Sequence, residues 1–410
     1  MGKSRGHGPA IPPLRMPSRC AAEEEWGRLI SPTTQPAPKL LYYVTEDWYF
    51  VSHRLALAVA AKAAGYDVCV ATRVRTHGEQ IKIAGLRLIP FENSRSNLNP
   101  LKELWTLARL IRLYRRERPD VIHHVAMKPV LYGSIAAKWA GRPLVVNAFG
   151  GLGWLFSSGA LTARAMKPAI RWWLRRLLRF GTALVQNPDD AQLLVRVGVP
   201  DSNIRLIPGS GVDLDRFSPR PEANAMPTVV LPARLIWEKG VAEFVEAARI
   251  LRQRGIAARF VLAGEPDREN PSAVPADCIL EWVRSGVIEH LGWVEDMPEL
   301  LGESHVVCLP SFYGEGIPKS LIEAAAAGRA IVTTDTPGCR EIVRHEENGL
   351  LVPPRDARAL SEALARLIED PELRQCMGNR GRVRAVQEFG IARVIDQTLA
   401  IYAEAGRNRP

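Results

Sequence analysis

Arg234 and Lys239 stand in the run Arg234-Leu235-Ile236-Trp237-Glu238-Lys239-Gly240, and Glu315-Gly316-Ile317-Pro318-Lys319-Ser320-Leu321-Ile322-Glu323 follows downstream. An arginine fork clamps phosphate through paired N–H donors, and a lysine adds a compact positive charge. The two glutamates are spaced to reach hydroxyls on either side of a diphosphate. Together these groups suit a sugar nucleotide. The alternatives are a solvated loop with two surface cations, and glutamates that merely serve a helix dipole and a wet helix face.

The segment after Glu315 reads as the start of a helix. Pro318 suits a first helical position, where its missing N–H costs nothing. Gly316 lets a ligand approach the backbone closely. Free N–H groups at Gly316 and Ile317, with the helix dipole, would form an anion site. Eight residues of helix from Glu315 to Glu323 would span roughly 12 Å, about the reach from a sugar past a diphosphate to a ribose.

These residues need a scaffold, and the chain supplies a repeating one. Short apolar runs alternate with amphipathic helical stretches from Lys39 onward. The predicted strands of the first half are 40–44, 67–72, 87–91, 121–125, 144–148, 183–186 and 204–207. After a proline-rich stretch they resume at 229–233, 259–263, 288–293, 306–310, 331–334 and 350–352. Continuous apolar strands between helices indicate parallel sheets covered on both faces. The fold class is α/β, with two doubly wound Rossmann-like domains facing across a cleft. The expected divisions are an arm at 1–38, a first domain at 39–207, a linker at 208–227, a second domain at 228–390, and a terminal helix at 391–410 that returns to the first domain. The arm, rich in Pro, Gly, Arg and Ser, reads as disordered or as an over-long gene start.

Composition is consistent with this. A chain of 410 residues with 47% hydrophobic content suits two ordinary domains. The six cysteines show no Cys-x2-Cys spacing, which suits buried thiols in a reducing compartment. A net charge of +10 favours anionic partners. No RNA- or DNA-binding module is recognisable, so nucleic acid is not an expected partner. No run reaches the ~18 apolar residues of a membrane span.

The chain resembles the family 4 retaining glycosyltransferases of the GT-B fold. The matching stretches are Pro232-Ala233-Arg234 to Lys239-Gly240, Leu262-Ala263-Gly264-Glu265, Leu291-Gly292-Trp293-Val294, Pro310-Ser311 to Gly328, and Asn348-Gly349-Leu350-Leu351-Val352. The resemblance implies that Arg234 and Lys239 hold the donor diphosphate. It places Glu315 at the donor sugar, Glu323 at the ribose hydroxyls, and backbone near Trp293 beside the nucleobase. It implies a UDP-sugar donor and no metal or other cofactor. Asp213-Leu214-Asp215 is formally an Asp-x-Asp, but its setting reads as a structural turn.

In the first half, His123 follows the family position near the donor sugar, while His124 should face the other way. Lys128-Pro129 with Tyr132-Gly133, and Asn147 to Phe156 including Gly151, resemble the transferases that act on polyprenyl-diphosphate sugars. A lipid-linked saccharide is therefore the implied acceptor. Thr45 to Arg54 departs from the family's glycine-rich loop, so Asp47, Ser52 and His53 are expected to shape that wall. The segment Leu161 to Val185 sets Arg171, Arg175, Arg176 and Arg179 among Trp172, Trp173 and leucines, without an acidic residue. Such a helix suits an anionic membrane surface, with a core helix bearing a solvated cationic face as the alternative. The expected location is the cytoplasmic face of the membrane. The competing readings are a family 4 transferase with another acceptor, such as a lipid A core or a soluble sugar, and a non-catalytic basic binding protein for membrane or nucleic acid.

Overall fold

The computed structural model describes residues 37–93, 99–141, 144–152, 168, 171–223 and 225–407. Residues 1–36 of the expected arm lie outside this range, as do Arg164 and Lys167 of the basic segment. Two parallel sheets organise the chain. The first contains β1 (Lys39–Glu46), β2 (Asp67–Arg73), β3 (Arg87–Pro90), β4 (Val121–Val125), β5 (Val145–Ala148), β6 (Thr182–Val185) and β7 (Ile204–Leu206). Its order is β3-β2-β1-β4-β5-β6-β7. The second contains β8 (Thr228–Pro232), β9 (Arg259–Ala263), β10 (Glu289–Gly292), β11 (Val306–Leu309), β12 (Ala330–Thr334) and β13 (Leu350–Val352). Its order is β10-β9-β8-β11-β12-β13.

Each of these strands coincides with a predicted apolar run. In the sheet interiors such runs bury both faces, and every residue of β4, β8 and β12 is buried. On one face of the second sheet Leu231, Phe244, Leu262 and Leu364 pack together, and on the other Val230, Leu309, Leu321 and Ile331 do. Both sheets reverse direction beside their first strand, between β1 and β4 and between β8 and β11. Ligands bind at the carboxyl ends of strands at such reversals.

Six helices matter for the site and its support. They are α1 (Asp47–His53), α2 (Pro100–Glu117), α3 (Pro188–Val197), α4 (Val241–Gln253), α5 (Lys319–Ala326) and α6 (Ile391–Arg407). The α1 segment corrects the expectation of an open loop after β1. The polypeptide turns helical at once, and the Asp47 carboxylate is buried inside the turn.

The chain crosses between the sheets twice, and the crossings are bonded together. Val212 N–H donates to Phe389 C=O at 2.9 Å, and Ile391 N–H donates to Val212 C=O at 2.9 Å. Asp213 Oδ1 accepts the N–H groups of Asp215 and Arg216 at 3.1 and 3.0 Å, so it closes a turn here. Helix α6 then packs on the first sheet, where Val394, Ile401 and Tyr402 join Leu40, Tyr42 and Val121 in one core.

Candidate active site

The second sheet brings Arg234, Lys239, Glu315 and Glu323 to the mouth of its reversal. Arg234 lies two residues past β8. Lys239 ends a short 3-10 turn at Trp237–Lys239, before α4. Gly240 links that turn to the helix at φ +75°, and a Cβ there would lie 2.1 Å from the Pro310 carbonyl oxygen. Only glycine lets the lysine turn approach the loop after β11 this closely.

The cations meet carboxylates. Lys239 Nζ is ion-paired with Glu315 Oε2, both side chains being about nine-tenths buried. Ser311 Oγ donates to Glu315 Oε1 at 2.7 Å, so both oxygens of that carboxylate are held. Arg234 pairs with Asp267 at 2.5 Å, and its guanidinium lies 5.6 Å from the Trp48 ring centre, across the cleft. Arginine held by one carboxylate and an aromatic face is oriented yet exchangeable for a phosphate.

Two details differ from the sequence expectation. Helix α5 starts at Lys319, with Pro318 as its cap residue, so Glu315 sits on the preceding loop and the two glutamates are not joined by continuous helix. The Gly316 and Ile317 N–H groups are also engaged. Gly316 N–H donates to Gly150 C=O at 2.9 Å, and Ile317 N–H donates to Gln186 Oε1 at 2.9 Å. Both acceptors belong to the first half of the chain. Gly151 adopts φ +118°, and a Cβ there would lie 2.4 Å from the Gly316 nitrogen. Glycine is thus required where the two backbones touch. Glu323 lies on the second turn of α5, 3.4 Å from Lys319 Nζ. Burial raises its carboxyl pKa, and the Lys319 ammonium opposes that rise. Trp293 directly follows β10 and is 69% exposed.

The first-half residues divide into supports and wall. Asp47 Oδ2 accepts the Arg75 and His77 N–H groups at 2.7 and 2.9 Å, and Oδ1 accepts the Trp48 N–H at 2.8 Å. It braces the loop after β2. Ser52 Oγ lies 2.5 Å from His53 Nδ1, and the His53 ring stacks on Tyr49 at 4.1 Å. Burial, Lys319 and Arg54 hold the His53 imidazole well below the ordinary histidine range. Lys319 Nζ donates to the Ser52 C=O at 2.6 Å, joining the halves again.

His123 and His124 point to opposite faces of β4. His123 is fully buried, stacks on Tyr42, and has Nδ1 2.5 Å from the Tyr402 hydroxyl of α6. Its Nε2 has no hydrogen-bond partner among the described residues. Burial, with Arg54 nearby, lowers its pKa well below the usual value. His124 is bonded to Asn147 at 2.8 Å and to Tyr114 at 2.9 Å, a closed structural arrangement. Lys128 donates to Glu103 of α2 at 2.8 Å. In the basic segment, Leu174 and Leu178 are buried, whereas Arg171, Arg175, Arg176 and Arg179 are exposed. Trp172 and Trp173 are 58% and 42% exposed and pack edge to face. No described helix is long and apolar enough to cross a membrane.

Sequence reasoning missed Gln186, Asn187, Ser311 and Asp267. Gln186 and Asn187 follow β6 directly, a strand-end position where parallel sheets place ligand-facing groups. That position was the available signal.

Comparisons with known proteins agree with this fold. Residues 226–370 match the model for group 1 glycosyl transferases, and residues 39–182 match that for glycosyl transferase 4-like domains. The chain is 31% identical over 348 residues to the N,N'-diacetylbacillosaminyl-diphospho-undecaprenol alpha-1,3-N-acetylgalactosaminyltransferase of Campylobacter jejuni, covering 82% of this chain and 90% of that one. It is 26% identical over 328 residues to the UDP-Gal:alpha-D-GlcNAc-diphosphoundecaprenol alpha-1,3-galactosyltransferase of Escherichia coli, covering 76% and 82%. Among solved structures, Anabaena HepE in complex with UDP superposes with a TM-score of 0.71 at 17% identity, covering 89% of this chain and all of that one.

Proposed function

The chain belongs to the group 1, family 4-like glycosyltransferases of the GT-B fold, and from that premise we propose that it moves a hexose or N-acetylhexosamine from a UDP-sugar to an undecaprenyl-diphosphate-linked saccharide, with retention, during polysaccharide assembly. The observation that carries the reading is the buried Lys239–Glu315–Ser311 cluster beside Arg234, one loop away from Glu323.

In this reading the donor diphosphate takes Arg234 from Asp267 and shares Lys239 with Glu315. Both cations stabilise charge that grows on the leaving phosphate. Glu315 then serves a donor-sugar hydroxyl, and Glu323 the ribose. His123 Nε2, buried and without a described partner, would reach the sugar only once the wall over it opens. The backbone around Trp293 borders the base. The acceptor hydroxyl attacks from the face that the diphosphate leaves, and a phosphate oxygen takes its proton. No side-chain base is required, and the two cations supply the positive charge a metal would bring.

The acceptor lies along Ser52, His53, Lys128 and Gly151, with Asp47 fixing the wall. Arg171, Trp172, Trp173, Arg175, Arg176 and Arg179 face the anionic inner surface of the membrane, where a lipid-linked acceptor resides. The two relatives named above act on diphospho-undecaprenol saccharides, which supports this choice of acceptor.

The test is UDP release by purified protein, with EDTA present, from UDP-N-acetylgalactosamine and UDP-galactose. Undecaprenyl-diphosphate-linked N-acetylhexosamines serve as acceptors. Acceptor-dependent release with an α-linked product is expected. Failure to bind UDP by calorimetry would sink the reading.

A further inference from the structure

The turn Glu315-Gly316-Ile317 belongs to the second half of the molecule, yet each of its residues is bonded to the first half. Ile317 N–H donates to Gln186 Oε1 at 2.9 Å, and Gly316 N–H donates to Gly150 C=O at 2.9 Å. Asn187 Nδ2 donates to Glu315 C=O at 2.9 Å. Gln186 is 3% exposed and Asn187 is fully buried, so water does not compete for these bonds.

Asn187 is itself fixed. Its Oδ1 accepts the Asp190 N–H at 2.8 Å as the N-cap of α3, and its Nδ2 also reaches Asp190 Oδ2 at 3.1 Å. Asp190 in turn accepts the Leu152 N–H at 3.2 Å, next to Gly151. With the amide oxygen committed to the helix, the NH2 must face Glu315. The geometry is therefore directional. Gln186 offers an acceptor to an N–H, and Asn187 offers a donor to a carbonyl.

We propose that Gln186 and Asn187 are positioning residues for the transfer reaction, which set the Glu315–Ile317 turn, and through it the Glu315 carboxylate, when the two halves close. The inference rests on the functional reading above. It makes the first half a direct determinant of donor-sugar geometry. UDP alone is gripped by Arg234, Lys239 and Glu323 and does not need the turn in its closed placement. A sugar poised for attack does, because small misplacements of a reacting group lower turnover steeply.

Gln186→Met removes the acceptor at similar size, and Gln186→Glu keeps one. Asn187→Ser keeps a capping oxygen for α3 but cannot reach Glu315. Steady-state kinetics with the donor and acceptor that the wild type uses, and calorimetry with UDP, read the effect. The expected result for Gln186→Met and Asn187→Ser is a kcat about 10- to 100-fold lower, with UDP affinity within about twofold of wild type. Gln186→Glu should keep a kcat at least about tenfold above Gln186→Met. Wild-type kcat in Gln186→Met, equal losses of kcat and UDP affinity, or equal kcat in the Met and Glu variants would each overturn the proposal.

Hydrogen exchange at the Gly316 and Ile317 amides gives a readout independent of turnover. Protection should be lost in Gln186→Met and retained in Gln186→Glu; unchanged protection in Gln186→Met counts against the proposal. If the wild type transfers no sugar, the functional reading fails, while the exchange pattern still decides whether Gln186 sets the turn.

Discussion

Lys239 is more buried than Arg234 at the mouth of the second sheet, and its partner Glu315 is itself held by Ser311. Lys239→Ala leaves that carboxylate without its counter-charge and, in the proposed reaction, removes a donor from the leaving phosphate. The expected loss in kcat/KM corresponds to roughly 2–5 kcal/mol, and wild-type turnover in the variant would remove the clamp role. Glu323→Ala should weaken UDP itself as well as the donor, measured by calorimetry; unchanged UDP affinity would end its assignment to the ribose. Asp190 gives a pH signature. Burial pushes its carboxyl up to about 6, against the hydrogen bonds from Leu152 and Asn187. The folded state therefore keeps a proton that the unfolded chain has already released, so stability falls as pH rises from about 4 through about 6. Asp190→Asn should flatten that part of the curve of melting temperature against pH. An identical slope in wild type and variant would rule out Asp190 as its source.

Among the elements, α6 is the one whose contacts lie farthest from its sequence neighbours. Its Tyr402 hydroxyl lies 3.1 Å from the Tyr42 hydroxyl of β1 and 2.5 Å from His123 of β4. Tyr402→Phe leaves two buried polar groups short of a partner, which costs about 1–3 kcal/mol. Denaturant unfolding should show the loss, and an unchanged midpoint would mean the hydroxyl is idle. The elements also show what a sequence can disclose. The central strands were legible because they are short apolar runs buried on both faces, and α4 because its period is helical. Arg234, Lys239, Glu315 and Glu323 were legible because their spacing is local. Helix α1 was not, since Asp47 to His53 sets Trp48, Tyr49, Phe50 and Val51 in an unbroken row and so shows no helical period. The role of Asp47 was equally hidden, because it depends on N–H groups at Arg75 and His77 that folding alone brings near. Gly316 and Ile317 looked free for the same reason, as their acceptors lie at Gly150 and Gln186, far away in the chain.

For the whole molecule, the two sheets are tied across the cleft by Lys319 to Ser52, by Arg75 to Glu269, and by the turn at Glu315–Ile317. The net charge of +10 is read out at the same scale. Vesicles containing anionic lipid should retain the protein at low salt and release it as ionic strength rises. Replacing Arg175, Arg176 and Arg179 with glutamate, or Trp172 and Trp173 with alanine, should weaken retention without changing UDP affinity. Retention equal to wild type in both variants would remove this segment from the proposed membrane contact. The return of α6 has one more result. Domains emerging from the ribosome generally fold in order, the N-terminal one first. Here the core of the first sheet includes Val394, Ile401 and Tyr402, so it cannot close until those residues have been synthesised and have left the exit tunnel. The second sheet, contiguous from Thr228 to Val352, is translated in full beforehand. The half that begins synthesis first is thus completed last, and a nascent chain with only its residues up to about 390 clear of the exit tunnel would hold a closed second sheet beside an exposed, unfinished partner.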